Sequence, residues 1–432
     1  MTHLLVSTLL LFLPSLLTAE RNFEEVYHWS KMDIAFPSEA TRQDMLRDSD
    51  YIPINNIISN AKVWKDRIYV TLPRYMHGVP VTLGSLPRDS AYSETKNRPQ
   101  VEAYPSFAMQ AIGECDSFQS VQGIEIDTYG RLWVLDSGRI ETLTADPLSY
   151  CPPRLVIIDL ETNSVLRSYE FPDDVTPRNH SLLTGIVLDS SDGVFAYIMD
   201  VNQVDPGIIV YSLPENRSWK KRHPNMRNKA SHIAVGSAYS SVHLPIGSIA
   251  LSPLSSSQRF VYYTFLAPIE VFRVPISILR VDSGDIDDNF VRAVVQKSFR
   301  SESMMMEADG MIYLGCVDQH AVARWNTTAE NESWLNQRVL LETDSRLTWT
   351  SSLAIDEKGY LWVVSNSFQN FAKGSLSSQE YNYRILRMRL SHKNYQYRQD
   401  GTGPEYVQIT AGASSILGSF VTALICLWAI AF

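Results

Sequence analysis

Four cysteines in 432 residues are too few to hold a fold of this size together. They stand at Cys115, Cys151, Cys316 and Cys426, with no Cys-x-x-Cys pair, so a cysteine zinc site is not supported. The chain also lacks HExxH, GxSxG, a Walker loop and the dinucleotide glycine fingerprint. The zincin, α/β-hydrolase, nucleotide-hydrolase and Rossmann chemistries go with them. Nine histidines are scattered, and the closest pair in the body, His232 and His243, lacks the ligand set a metal needs. No metal and no cofactor is expected. The formal net charge is -9, and the one short basic run, Lys220-Lys221-Arg222-His223, reads as a solvated surface loop. A nucleic-acid partner is therefore not expected. Amphipathic helical segments are few, which argues against bundles and helical solenoids.

What the chain has is β-hairpins. Gly123–Ile126 and Arg131–Leu135 flank an Asp-Thr-Tyr-Gly turn, and the second run is apolar until it stops at Asp136-Ser137-Gly138. The same plan recurs at Ala61–Val70 and at Gly185–Asp189 with Val194–Asp200. It recurs again at Gly247–Pro253 with Phe260–Phe265, Met305–Ala308 with Met311–Cys316, and Ser352–Asp356 with Tyr360–Ser365. About six hairpins at intervals of roughly 50 to 65 residues predict a repeat architecture. Strand-rich units of that size suit an all-β, single-domain, six-bladed β-propeller spanning residues 20–400. Two unrelated β-domains are the alternative.

The ends differ from the body. Leu4–Leu17 is a short apolar run followed by Thr18-Ala19, the layout of a signal peptide over residues 1–19. An extracellular, secreted protein is expected, or one anchored at the outer cell surface. Asn179, Asn216, Asn326 and Asn331 head glycosylation sequons. After a spacer at 401–415, the segment Ile416–Phe432 is hydrophobic to the last residue, which fits a glycolipid-anchor signal, a short membrane helix or a disposable tail. Contact with a membrane is expected only through this tail. Cys115 and Cys151 bracket the central hairpin and could pair in the secretory pathway, while Cys316 sits in an apolar strand as a buried free thiol.

Polar residues at the ends of apolar strands are the candidates for chemistry: Asp136, Asp200, Asp318 and Asn366. Propeller strands converge on a central channel, where such groups can line a site. Asp and Asn equally close turns on their own backbone, and both readings stay open. The three aspartates are candidate catalytic acids or bases if burial raises their pKa values.

Several motifs resemble the Yellow / major royal jelly protein family. Gly130-Arg131-Leu132-Trp133-Val134-Leu135-Asp136-Ser137-Gly138 with Cys151-Pro152-Pro153-Arg154-Leu155 is the closest match. Gly78-Val79-Pro80, Ala196–Asp200, Ile249–Pro253, Val274–Arg280 and Trp362–Asn366 with Phe368 extend it over roughly residues 25 to 390. The resemblance implies a secreted six-bladed propeller acting in cuticle pigmentation, melanin metabolism or matrix hardening. Its partners would be a small catechol or biogenic amine, with extracellular matrix or cuticle as a setting. It also implies that Asn366 and Phe368, with Thr350 and Ser351, line a ligand pocket at the propeller mouth. There an amide can accept from an ammonium or hydroxyl, and a ring can stack on an indole or catechol. Conversion of dopachrome is the alternative function. A metal-dependent lactonase-like propeller is a third reading without a ligand pattern behind it.

Overall fold

The computed structural model describes residues 23–89, 97–202, 204–227, 233–235, 238–240, 247–266, 270–328, 339–340 and 346–409. The leader at 1–19, the hydrophobic tail, His232, His243, Asn331 and Cys426 lie outside the described residues. No helix among the described residues is long and apolar enough to cross a membrane.

Six antiparallel sheets form six blades. Blade one is built on Asn60–Trp64, Arg67–Thr71, Leu83–Pro87 and Val101–Ala103, with Ile34–Ala35 added in parallel at its edge. Blade two holds Val121–Ile126, Arg131–Asp136, Arg154–Asp159 and Ser164–Glu170. Blade three holds Leu183–Asp189, Phe195–Asp200, Gly207–Ser212 and Arg217–Lys221. Blade four holds Gly247–Leu251, Phe260–Phe265, Glu270–Pro275 and Arg292–Gln296. Blade five holds Ser301–Met306, Met311–Cys316, Val322–Asn326 and Val339–Leu340. Blade six is made from both ends of the fold: Thr350–Ile355, Tyr360–Asn366 and Tyr383–Arg389, with Glu24–Trp29 as its outer strand. Each of the six sequence-predicted hairpins is the inner hairpin of one blade.

The first strand of each blade touches the first strands of its two neighbours, and the contact from blade six to blade one closes the ring. Second strands such as Arg131–Asp136 are buried along their whole length, because each blade packs face to face between two others. Gly130 and Gly359 take positive φ in the tight inner turns, where a side chain would strain the backbone.

These turns mark one end of the channel, here termed the floor. A segment that follows the last blade strand seals it. Tyr395 N donates to Met306 O of blade five at 3.0 Å, and Leu254 N of blade four donates to Tyr395 O at 3.0 Å. Leu188 N of blade three donates to Tyr395 Oη at 2.9 Å. Asn394 Nδ2 donates to Ile355 O of blade six, and Gln396 Nε2 to Ile126 O of blade two, both at 2.9 Å. Residues 394–396 thus fasten five blades at once. The opposite end of the channel is here termed the mouth.

Candidate functional site at the channel mouth

All six inner strands contribute to a channel cavity of about 60 Å³, which includes Asn60, Thr184, Ser248, Glu302 and Ser351. That is room for a few waters. Deeper in, Lys62 and Glu125 pair across neighbouring blades. Nearer the mouth stands Glu302, second residue of the blade-five inner strand. It is partly buried and lines the channel cavity. The indole N–H of Trp349 donates to its Oε2. Burial pushes its pKa from 4.5 up to about 8, opposed by that one hydrogen bond.

An aromatic cluster covers this end. Phe368 packs 5.2 Å from Trp349 and 6.0 Å, edge-on, from Tyr75, and Phe371 lies behind both Phe368 and Tyr75. Burial raises the pKa of Tyr75, and the nearby Glu302 carboxyl raises it further. The sequence-predicted ligand residues gather here. Asn366 is buried, donating from Nδ2 to Ile58 O (2.9 Å) and Ser351 Oγ (3.1 Å) while its Oδ1 accepts from Phe368 N (3.0 Å). The Thr350 hydroxyl is buried with no hydrogen-bond partner among the described residues. Ser351 shares the cavity wall with Glu302. Asn366 thus holds the ring of Phe368 in place over the mouth.

The three candidate catalytic aspartates have a different geometry. Asp136 and Asp200 end second strands, Asp318 stands two residues beyond one, and each accepts from the backbone that enters the same blade. Asp136 accepts from Gln119 N (3.0 Å), Ser120 N (2.9 Å) and Gly138 N (3.1 Å). Asp200 accepts from Leu182 N (2.9 Å) and Ser181 Oγ (3.0 Å), and is neutralised by Lys220 at 2.9 Å. Asp318 accepts from Arg300 N at 3.1 Å, and burial raises its pKa. They sit in three separate blades and close turns. The buried guanidinium of Arg74 does related work, donating to five carbonyls that include Val79 O, Pro80 O and Gln119 O. It ties the blade-one mouth loop to that of blade two. A disulfide joins Cys115 to Cys151 beside them, and the Cys316 thiol is buried.

The sequence pattern described as Major royal jelly protein matches residues 119–396. The chain belongs to that family. It is 30% identical to Protein yellow of Drosophila melanogaster over 398 residues, covering 88% of this chain and 71% of that one. Against Protein yellow of Drosophila subobscura the identity is 30% over 383 residues, 85% of this chain but only 65% of the relative's length. Among solved structures, a luciferin-regenerating enzyme aligns at 12% identity with a TM-score of 0.46, covering 81% of this chain and 95% of that one. A virginiamycin B lyase from Staphylococcus aureus aligns at 11% and 0.39, covering 72% and 78%. Those scores are too low to bear on function.

Two features of the structure differ from the sequence expectation. The run Lys220-Lys221-Arg222-His223 is not a solvated loop, because Lys220 and Lys221 are buried in the outer strand of blade three. Lys220 is neutralised by Asp200, and Lys221 Nζ donates to the carbonyls of Val281, Ser283 and Gly284. Burial of a lysine is tolerated when its donors are all satisfied. The blade-five inner strand is Ser301–Met306 rather than Met305–Ala308. Its polar start, Ser301-Glu302-Ser303, faces the channel and carries no apolar signal, so Glu302 escaped notice. Of the sequons, Asn179, Asn216 and Asn326 are exposed.

Proposed function

We propose that this royal jelly family member is a secreted or surface-anchored protein that binds a small biogenic amine or catechol at its propeller mouth. Its setting would be cuticle pigmentation, the melanin pathway or matrix hardening. The observation behind this reading is Glu302, a buried carboxyl among aromatic rings with no lysine or arginine in an ion pair with it among the described residues. Such a carboxyl is costly to ionise alone, and an aromatic ammonium would supply both the counter-charge and a ring to stack. The cavity below is small, so the ligand would sit at the mouth and displace the Phe368 ring.

Calorimetry with dopamine and with serotonin tests it. One saturable site is expected, weakened at least about tenfold in Glu302→Gln and in Phe368→Ala, the cost of losing one charged or stacked contact. Absence of heat with either amine would overturn the reading.

Dopachrome conversion remains a second reading, favoured by the same carboxyl. A group with a pKa of about 8 can hold or take a proton at a ring carbon near neutral pH. Saturable loss of dopachrome absorbance that disappears in Glu302→Gln would support it.

A further inference from the structure

The floor of the propeller has a repeated device. The carboxylate that ends the inner strand accepts from an aromatic of the second strand and is neutralised by arginine. In blade two, Asp127 accepts from Trp133 Nε1 and pairs with Arg131. In blade three, Asp189 accepts from Tyr197 Oη and pairs with Arg259 and Arg280. In blade six, Asp356 accepts from Trp362 Nε1 and pairs with Arg88. Blade five departs from it. Glu307 accepts from Tyr313 Oη at 2.9 Å, and its side chain is 4% exposed, yet no arginine or lysine pairs with it among the described residues.

In place of arginine stand His392 and Asp309. His392 Nδ1 lies 3.5 Å from Glu307 Oε1 and 3.6 Å from Asp309 Oδ2. Both distances are too long for hydrogen bonds. Nδ1 is itself buried and has no hydrogen-bond partner among the described residues. Ligand atoms about 2.1 Å from a zinc ion lie roughly 3.4 Å apart at tetrahedral angles. The three atoms lie within 4.8 Å of one another, close to such an arrangement.

We propose that Glu307, Asp309 and His392 form a divalent transition-metal site that clips the sealing segment to blade five. One imidazole nitrogen and two carboxylate oxygens suit zinc, manganese or iron(II) better than calcium, which takes oxygen ligands alone. The outer partners are in place. Tyr313 Oη holds Glu307 Oε2, and the backbone N of His392 donates to Oε1 at 2.7 Å, so the carboxylate is oriented before any ion arrives. The ion would take the role arginine has in blades two, three and six. His392 follows the last strand of blade six, and only the packing of that segment against blade five brings it to the Asp309-Gly310 turn.

The test uses the purified secreted chain, stripped of metal and titrated with Zn²⁺ alone, with Ca²⁺ as the control. One zinc per chain is expected, with a raised melting temperature and no response to calcium. His392→Ala and Asp309→Asn should each weaken zinc binding by about tenfold or more, the loss that even an outer partner causes at such sites. Both side chains are about a third exposed, and asparagine at 309 keeps the acceptor for Met311 N, so these variants should fold. No zinc binding, or equal binding in both variants, would overturn the proposal.

Discussion

Lys62 of blade one reaches Glu125 of the neighbouring blade two, Nζ to Oε2 at 2.8 Å, with the side chains 9% and 3% exposed. One buried charge of the channel is thereby neutralised from within the protein. Glu302, closer to the mouth, has only an indole N–H and hydroxyl-bearing neighbours. The deeper pair is balanced from within, whereas the carboxyl nearer the mouth has no counter-charge of its own among the described residues.

The first prediction concerns Glu302. Between its ordinary pKa of 4.5 and its folded value of about 8, the native protein holds a proton that the unfolded chain has released. Its protonated form therefore favours the fold fully below about pH 4.5, and that contribution fades as pH rises through about 8. The span is on the order of 5 kcal/mol at most. Urea unfolding of the wild type against Glu302→Gln should show this slope in the wild type alone. A bound ammonium requires the ionised carboxylate, so amine affinity should rise about tenfold per pH unit below 8 and level off above it. Calorimetry in two buffers of different ionisation enthalpy reads the released proton.

Asp136 gives a second expectation. Its carboxylate serves three backbone donors, and Arg154 Nε stands 3.4 Å away. Asp136→Ala leaves those groups buried and unpaired, at a cost of about 3–5 kcal/mol. Denaturant midpoints should fall accordingly. Ligand affinity of the fraction that still folds should change little.

The Cys115–Cys151 bridge closes a separation of 36 residues beside the mouth. Replacing both cysteines by serine should lower stability by up to about 4 kcal/mol on the chain-entropy account. The comparison is made by urea unfolding of oxidised wild type and the double variant.

Tyr395 supplies the fourth. It is almost wholly buried at the floor and bonded to three blades. Tyr395→Ala should cost about 3–5 kcal/mol through the cavity and the orphaned Leu188 N–H. Thermal unfolding checks it, and amine binding at the opposite end should persist in the folded fraction.

The inner hairpins were legible because each pairs two apolar strands around a polar turn, and neighbouring blades bury both faces. Where side chains face the channel instead, that signal vanishes. Ser301-Glu302-Ser303 reads as loop in one dimension and as channel wall in three. Lys220 failed for another reason, since its partner Asp200 lies on a different strand and only pairing reveals the neutralisation. Residues 394–396 have no periodicity, so nothing in their order announces a floor. The family motifs point to Asn366 and Phe368, but that Asn366 accepts from Phe368 N is something no motif states.

The make-up of blade six has a consequence for biogenesis. Glu24–Trp29 leaves the ribosome long before Tyr383–Arg389, yet the two must pair to complete one sheet. Until that meeting the strand waits without its partner, and five blades stand as an open arc with unpaired edges. Closure is a contact of very high sequence separation, so it should be a slow, late step. During this interval the nascent chain is most exposed to aggregation.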